Sequence, residues 1–245
     1  MAKRSGLGLL FAVAGVDLSG DTGSINRLGG GPNLLDATGL DKSANERIPG
    51  LLDGALDYTT FFNPTAGQAH TTLRGLPTSD VIVTLALGST LGDEEASIVA
   101  KQLDYAGSRA ADGAFTFTVP GPANGYGLEW GNTLTAGKRT DTTATNGASL
   151  DNTVATTTTG WSAYLHVFAF TGTSVTVTLQ DSADNAAFAG FTGSAFIAAT
   201  GITTQRIEGA VGATVRRYVR AVTTGTFSNA VFLVGFSRHP MGAAT

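Results

Sequence analysis

The sequence predicts a mainly β protein, an α+β first unit carrying one helix followed by an all-β sandwich. Three observations lead there. Short apolar segments separated by Thr, Gly and Asp turns recur along most of the 245 residues, and several alternate with the period of two that marks half-buried strands. A single stretch, residues 93–106, has helical spacing. Beyond residue 160 the texture becomes strand and turn with no helical period, the pattern of a sandwich.

Taken in order, residues 7–18 form an apolar run that ends at the turn Asp17-Leu18-Ser19-Gly20-Asp21. Lys3-Arg4 ahead of the apolar run Gly6 to Val16, with Ala12-Val13-Ala14 as a passable cleavage site, has the layout of a secretory leader. The run is too short to span a bilayer, and the expectation is an extended arm or first strand. Ser24 to Leu28 reads as a short strand. Gly29-Gly30-Gly31-Pro32 then breaks the chain, and residues 33–54 read as a long connection with no sustained period. Connections of that length are uncommon unless functional. Its apolar pairs, Leu34-Leu35 and Leu51-Leu52, need a surface to cover them.

Ala55 to Phe62 reads as an aromatic strand, and Val81 to Leu87 as a clearer one with Val81, Val83, Leu85 and Leu87 on one face. Asp93-Glu94-Glu95 suits the first turn of a helix, where carboxylates meet the positive end of the dipole. Ala96, Val99, Ala100 and Leu103 then make an apolar stripe that Gly107 closes. Ala114 to Val119 and Tyr126 to Leu134 complete the strands of the first unit, residues 1–140. Residues 135–160, with 141–160 as the segment between units, read as a Thr-, Gly- and Asn-rich linker. In the second unit, 161–245, strands are expected near 162–170, 174–180, 194–199, 203–208, 214–223 and 229–236.

Charged residues are 14% of the chain, against about 25% in an ordinary soluble domain. Such a neutral surface is sticky on a free monomer and is tolerable where assembly covers it. The alternative is a secreted β-domain with a polar, Thr-rich surface. The net charge is −4, with 10 basic and 15 acidic residues in 1–150 against 5 and 4 in 151–245. That balance opposes gripping of nucleic acid. There is no Cys, which excludes disulfides, thiolate metal sites and Cys nucleophiles.

No catalytic constellation emerges, and the expectation is a protein that is not an enzyme and needs no cofactor or metal. The histidines are His70, His166 and His239; no G-x-S-x-G or H-E-x-x-H accompanies them. His166 alternates with Tyr164 and Phe168 and reads as a packed or edge strand residue, not a base. Gly131 to Arg139, GNTLTAGKR, departs from a phosphate loop in spacing and in carrying Arg139 where Ser or Thr should stand. Asp181 and Asp184 lack the further oxygens of a calcium loop. Trp161, Tyr164, Phe168, Phe188 and Phe191 admit either a sandwich core or a sugar-stacking surface.

Residues 15–63 carry an ordered series: Asp17-Leu18-Ser19-Gly20, Asn26, Leu35-Asp36, Thr38-Gly39, Lys42-Ser43, Glu46-Arg47-Ile48, Gly50-Leu51, Asp53-Gly54 and Phe61-Phe62-Asn63. This series, with GAFTFTVPGPANGYGLEWG at 113–131, resembles the major tail proteins of long non-contractile-tailed phages, especially those of actinobacteria. The resemblance covers roughly residues 10–135, and the second unit resembles the β-sandwich modules appended to such proteins. It implies a tail-tube-like sandwich or barrel domain whose copies form hexameric rings. Sheets would join edge to edge, and rings would stack into a tube through which genomic DNA passes without specific binding. It further implies a place in the virion tail, assembly in the host cytoplasm, and tape measure and other tail proteins as partners. Leu34, Leu35, Asp36, Asp41, Lys42, Arg47, Leu51 and Leu52 are then the expected contacts between subunits. The rival readings are a glycan-binding adhesin and another virion decoration or tail-terminator component.

Overall fold

The computed structural model describes residues 5–157, 160–210 and 212–238. Lys3-Arg4, Thr158-Thr159 and His239-Pro240 lie outside the described residues. In chain order the elements are β1 (Leu10–Val13), β2 (Val16–Asp17), β3 (Thr22–Asp36), β4 (Arg47–Phe61), α1 (Ala69–Leu73), β5 (Asp80–Ala86), β6 (Glu94–Lys101), β7 (Ala106–Arg109) and β8 (Phe115–Val119). They continue with β9 (Glu129–Thr133), β10 (Arg139–Asp141), β11 (Asn146–Thr157), β12 (Trp161–Ser182), β13 (Ala189–Ala195), β14 (Thr203–Gly209) and β15 (Val215–Ser237). The mainly β class stands.

Two sheets form. The larger runs β13-β12-β15-β9-β6-β5-β1-β2, with β14 on β12 and with β10 and β11 on β15; the smaller is β3-β4-β8-β7. The first core lies between the sheets. Leu56, Tyr58 and Val119 of the smaller sheet meet Phe11, Val13, Val81, Val83, Leu85 and Ile98 of the larger. Ala69 and Leu73, four residues apart on α1, close its end. The carboxylate of Asp21 holds α1 by accepting the Ala69 N–H at 2.8 Å. The second core is made by β12 and β15, which pair from Ser162↔Ser237 to Ser182↔Tyr218 and bend where the register shifts at Gly172. Trp161, Leu165, Val177, Leu179, Val219, Phe232 and Phe236 fill it. Hydrogen bonding passes between the two parts through β9 and β15, by the pairs Gly235↔Thr133 and Phe236↔Asn132.

Three expectations are corrected. The helix over 93–106 is instead β6, paired with β5 at Glu95↔Ala86 and with β9 at Glu95↔Gly131. Ala96, Ile98 and Ala100 face the first core while Glu95 and Ser97 are buried on the other side. The alanines fit helical and strand spacing alike, and two neighbouring strands decide between them, tertiary pairing overriding local preference. The connection 33–54 is the far half of the β3–β4 hairpin. Its ladder needs no side-chain alternation because neither face is covered. The linker 141–160 contains the whole of β11, which pairs with β15 from Asn146↔Val222 to Thr157↔Val215 across two irregularities; its backbone pairing compensates for a composition that resembles a loop. The turn between β1 and β2 has Ala14 and Gly15 both at positive φ, 51° and 80°, the mirror-image turn that matches strand twist.

Candidate assembly surface

β3 and β4 are each 15 residues long, but β8 covers β4 only from Tyr58 to Phe61. Gly30 and Gly54 mark where the hairpin leaves the body. A Cβ on either would sit 3.0 or 2.9 Å from the Leu128 Cβ, so only glycine allows the strands to pass so close. From Pro32↔Leu52 to Asp36↔Arg47 the two strands run alone, a span of roughly 13 Å at about 3.3 Å per residue. The tip is self-contained. Asp36 accepts the Thr38 N–H at 2.9 Å, the Thr38 hydroxyl accepts the Glu46 N–H at 2.9 Å, and Lys42 pairs with Glu46 at 3.1 Å. Hydrogen bonds from the Thr38 hydroxyl and amide hold the Asp36 carboxyl below its usual range.

This arm is apolar and bare. Leu34 is 64% exposed, Leu51 84% and Leu40 fully exposed; Leu35 and Ile48, opposite one another, are exposed too. An unsupported two-stranded hairpin is marginal in water, and exposed aliphatics in a row mark a contact site. All eight residues expected at subunit contacts sit here. Asp36 and Arg47 face each other at the last pair, Asp41 and Lys42 lie in the tip, and Leu52 packs at the base, half-buried near Gly127. At the other end of the smaller sheet is an aromatic rim the sequence reading missed. Phe62 and Phe115 lie 5.2 Å apart, half-exposed, around Phe117, on which Tyr105 stacks at 4.2 Å, and His70 packs at 4.8 Å from Phe62. The outer strands β3 and β7 leave this sheet open on both edges.

A buried polar seam joins the two parts. β12 is covered on both faces over Trp161–Val167. Its alternate residues Ser162, Tyr164 and His166 turn from the second core toward the first part. Ser162 and Tyr164 donate to the Glu129 carboxylate, and Arg206 donates to it at 2.9 Å while also donating to Tyr164 Oη at 3.0 Å. Burial opposes the Arg206 charge, but Tyr164 and Glu129 beside it more than offset that and keep the guanidinium protonated. Burial, then Glu129, pushes the Tyr164 phenol up.

His166 Nε2 lies 3.0 Å from the Thr84 hydroxyl, which lies 2.7 Å from Ser97, which donates to Glu95. The Glu95 carboxyl occupies a slot that exists because Gly131 and Gly235 lack side chains: a Cβ there would be 2.8 and 2.6 Å from its Oε1. Burial, reinforced by the charge of Glu129 and opposed by the Ser97 hydrogen bond, pushes Glu95 up to about 8. Burial alone pushes His166 down to about 3. The pair is thus a protonated acid and a neutral imidazole at neutral pH.

Of the packed and edge positions that its alternation allows, His166 takes the packed one. Asp93 is not at a helix start: it accepts the Thr90 N–H at 2.7 Å in a turn before β6. Of the P-loop-like stretch, Gly131 lies in β9 and Arg139 in β10, with Arg139 bound to Asp141. Asp181 pairs with Arg216, and Asp184 caps its own turn through Ala186 and Ala187. Trp161 and Tyr164 are buried, and Phe168, Phe188 and Phe191 are half-buried. Among the described residues no group of three or more His, Asp or Glu is placed to hold a metal ion. No helix there is long and apolar enough to cross a membrane.

No protein-family model and no curated protein matches the chain. Among solved structures it is similar to the SPP1 Dit (gp 19.1) protein, described as a paradigm of the hub adsorption apparatus in phages infecting Gram-positive bacteria. The identity is 13% and the TM-score 0.33, over 94% of this chain and 99% of that one. A likeness of that size transfers neither fold nor role.

Proposed function

We propose that the chain is a structural subunit of a phage tail that assembles with copies of itself into stacked rings, forming the tube through which DNA passes. The observation that carries the reading is the β3–β4 arm, whose five large apolar side chains, Leu34, Leu35, Leu40, Ile48 and Leu51, are exposed on a hairpin with no layer beneath it. A second copy is the natural cover, because contacts that repeat head to tail give closed rings or open filaments. The open edges at β3 and β7 support it, since an unpaired edge is a liability for a monomer that neighbouring copies remove. The ordered series over residues 15–63 points to the same class. The scarcity of charge suits a subunit whose surface is shared. DNA traverses such a tube without specific binding, and the acidic excess of the first 150 residues keeps contact with phosphates unfavourable.

Sedimentation velocity tests the reading. The full chain should move from small to large species as concentration rises, and Leu34→Asp with Leu51→Asp should hold it at the small species while circular dichroism stays unchanged. A monomer at all concentrations, or identical sedimentation of variant and parent, would overturn it.

A further inference from the structure

Residues 121–124 lace the two sheets together beside the root of the arm. Gly121 accepts the Leu56 N–H at 3.0 Å and Ala123 donates to the Gly54 carbonyl at 2.8 Å, both on β4. In alternation with them, Pro122 accepts the Lys101 N–H at 2.8 Å and Asn124 donates to the Val99 carbonyl at 2.9 Å, both on β6. This strap ends in Asn124-Gly125. Asn124 is exposed, and its side-chain amide donates to Asp80 Oδ1 at 2.8 Å, the oxygen that Lys101 Nζ also reaches at 2.6 Å. Lys101, and after it Asn124, hold the Asp80 carboxyl below its usual range by these hydrogen bonds.

We propose that Asn124 is a site of spontaneous covalent modification, converted to aspartate and isoaspartate by attack of the Gly125 main-chain nitrogen. That nitrogen gives its proton to solvent and bonds to the Asn124 Cγ. The Cγ–Nδ2 bond breaks, and the amide nitrogen takes a proton from water and leaves as ammonia. Water then opens the five-membered imide at one carbonyl to give aspartate, or at the other to give isoaspartate, whose main chain runs through the former side chain. The reaction needs a following residue with no Cβ in the way and a peptide free to turn. The chain has two Asn-Gly pairs, and the fold separates them. Gly125 lies outside every strand, at φ 78°, with no atom within 4 Å of where a Cβ would stand. Asn146 and Gly147 lie inside β11, Asn146 opposite Val222, and a Cβ on Gly147 would meet Arg139 Nη1 and stand 2.5 Å from the Ala221 carbonyl oxygen. Lys101 is the other nitrogen near the Asn124 amide. Its ammonium is bound to Asp80 and to the Thr78 carbonyl at 3.0 Å, and a protonated amine has no lone pair with which to attack. The product places a carboxylate where Asp80 had a donor. Two carboxylates then share Lys101 and repel, which unfastens the end of the strap from β5, one residue from the Ala123 bond that holds the arm root. The inference stands apart from the tube reading.

Ageing the full chain for days at mildly alkaline pH, with peptide mapping by mass spectrometry, tests this directly. In the folded chain the Asn124 peptide should acquire its aspartate and isoaspartate forms several-fold faster than the Asn146 peptide. In the chain unfolded by guanidinium the two should convert at similar rates, because only the fold distinguishes them. An unchanged Asn124, or equal conversion at both positions in the folded chain, would overturn the site. A Lys101–Asn124 linked peptide lacking one ammonia would overturn the mechanism by making Lys101 the nucleophile. Asn124→Asp, one of the two products, should melt below the parent, and equal melting would refute the loss of the tie to Asp80.

Discussion

Stability of this chain should be flat across mildly acidic pH and fall on both sides, and Glu95 and His166 set the limits of the plateau. In the folded chain Glu95 titrates near 8 from an ordinary 4.5, and His166 near 3 from 6.5. Between pH 4.5 and 6.5 the unfolded chain carries one proton on this pair, on the histidine, and the folded chain also carries one, on the glutamate. Equal proton counts give no slope. Above 6.5 the unfolded pair holds none and the folded pair still holds one, so stability is lost as pH rises toward 8. The loss is about 1.4 kcal/mol per unit, or about 2 kcal/mol over that window. Below 4.5 the unfolded pair holds two and the folded pair one, and a loss of the same size, about 2 kcal/mol, accumulates down to pH 3. Asp17 and Asp80, whose pKa values are also lowered in the fold, add to the acid side. The assay is urea unfolding at half-unit steps from pH 3.5 to 8.5. Glu95→Gln should remove the alkaline decline and, because nothing then offsets the His166 slope between 4.5 and 6.5, replace the plateau by a stability that rises from pH 3.5 up to 6.5 and is flat above it. A variant profile parallel to the parent's between pH 6.5 and 8 would refute the assignment of that decline to Glu95.

Two further outcomes follow from the seam. Arg206→Met strips the buried Glu129 carboxylate of its cation and should cost about 3–5 kcal/mol. At roughly 2–4 °C per kcal/mol, melting should drop by about 10 °C, with Glu129→Gln recovering much of it; a drop below about 2 °C would show the pair to be dispensable. Gly235→Ala places a Cβ against the Glu95 carboxyl and should cost about 1–3 kcal/mol as an overpacked site. Combined with Glu95→Ala, the cost should be well below the sum of the two single changes, whereas simple additivity would contradict the slot.

The strands whose side chains alternate apolar and polar are legible in the sequence. Ala114 to Val119 alternates cleanly because its pattern reports a single covered face; Val81 to Leu87 alternates because Val81, Val83 and Leu85 face the first core while the polar Thr84 is buried on the other side in the seam. β6 was misread since both its faces are buried: Glu95 and Ser97 sit on a covered polar side, and the remaining alanines match either period. The arm is legible in position but not in form, because a hairpin without layers imposes no alternation on its side chains. Its exposed leucines were legible as needing a cover, and the structure leaves them bare. The seam left a signal that could have been taken: Ser162, Tyr164 and His166 alternate with Trp161, Ala163, Leu165 and Val167, and polar residues at every second position of an apolar strand mark a second, polar, buried face. Its partners Glu95, Glu129 and Arg206 were beyond reach, because contacts 33 to 82 residues apart follow from the topology and not from local pattern. The aromatic rim is hidden for the same reason, being gathered from the residue after β4, from α1 and β8, and from the segment before β7.

Negative-stain electron microscopy tests the central claim most directly. It would compare the full chain, at rising concentration, with a variant in which residues 33–51 are replaced by an Asn-Gly turn joining Pro32 to Leu52. The full chain should give stacked rings or tubes of constant width, and the folded variant only dispersed particles. Dispersed monomers from both, or tubes from both, would contradict it.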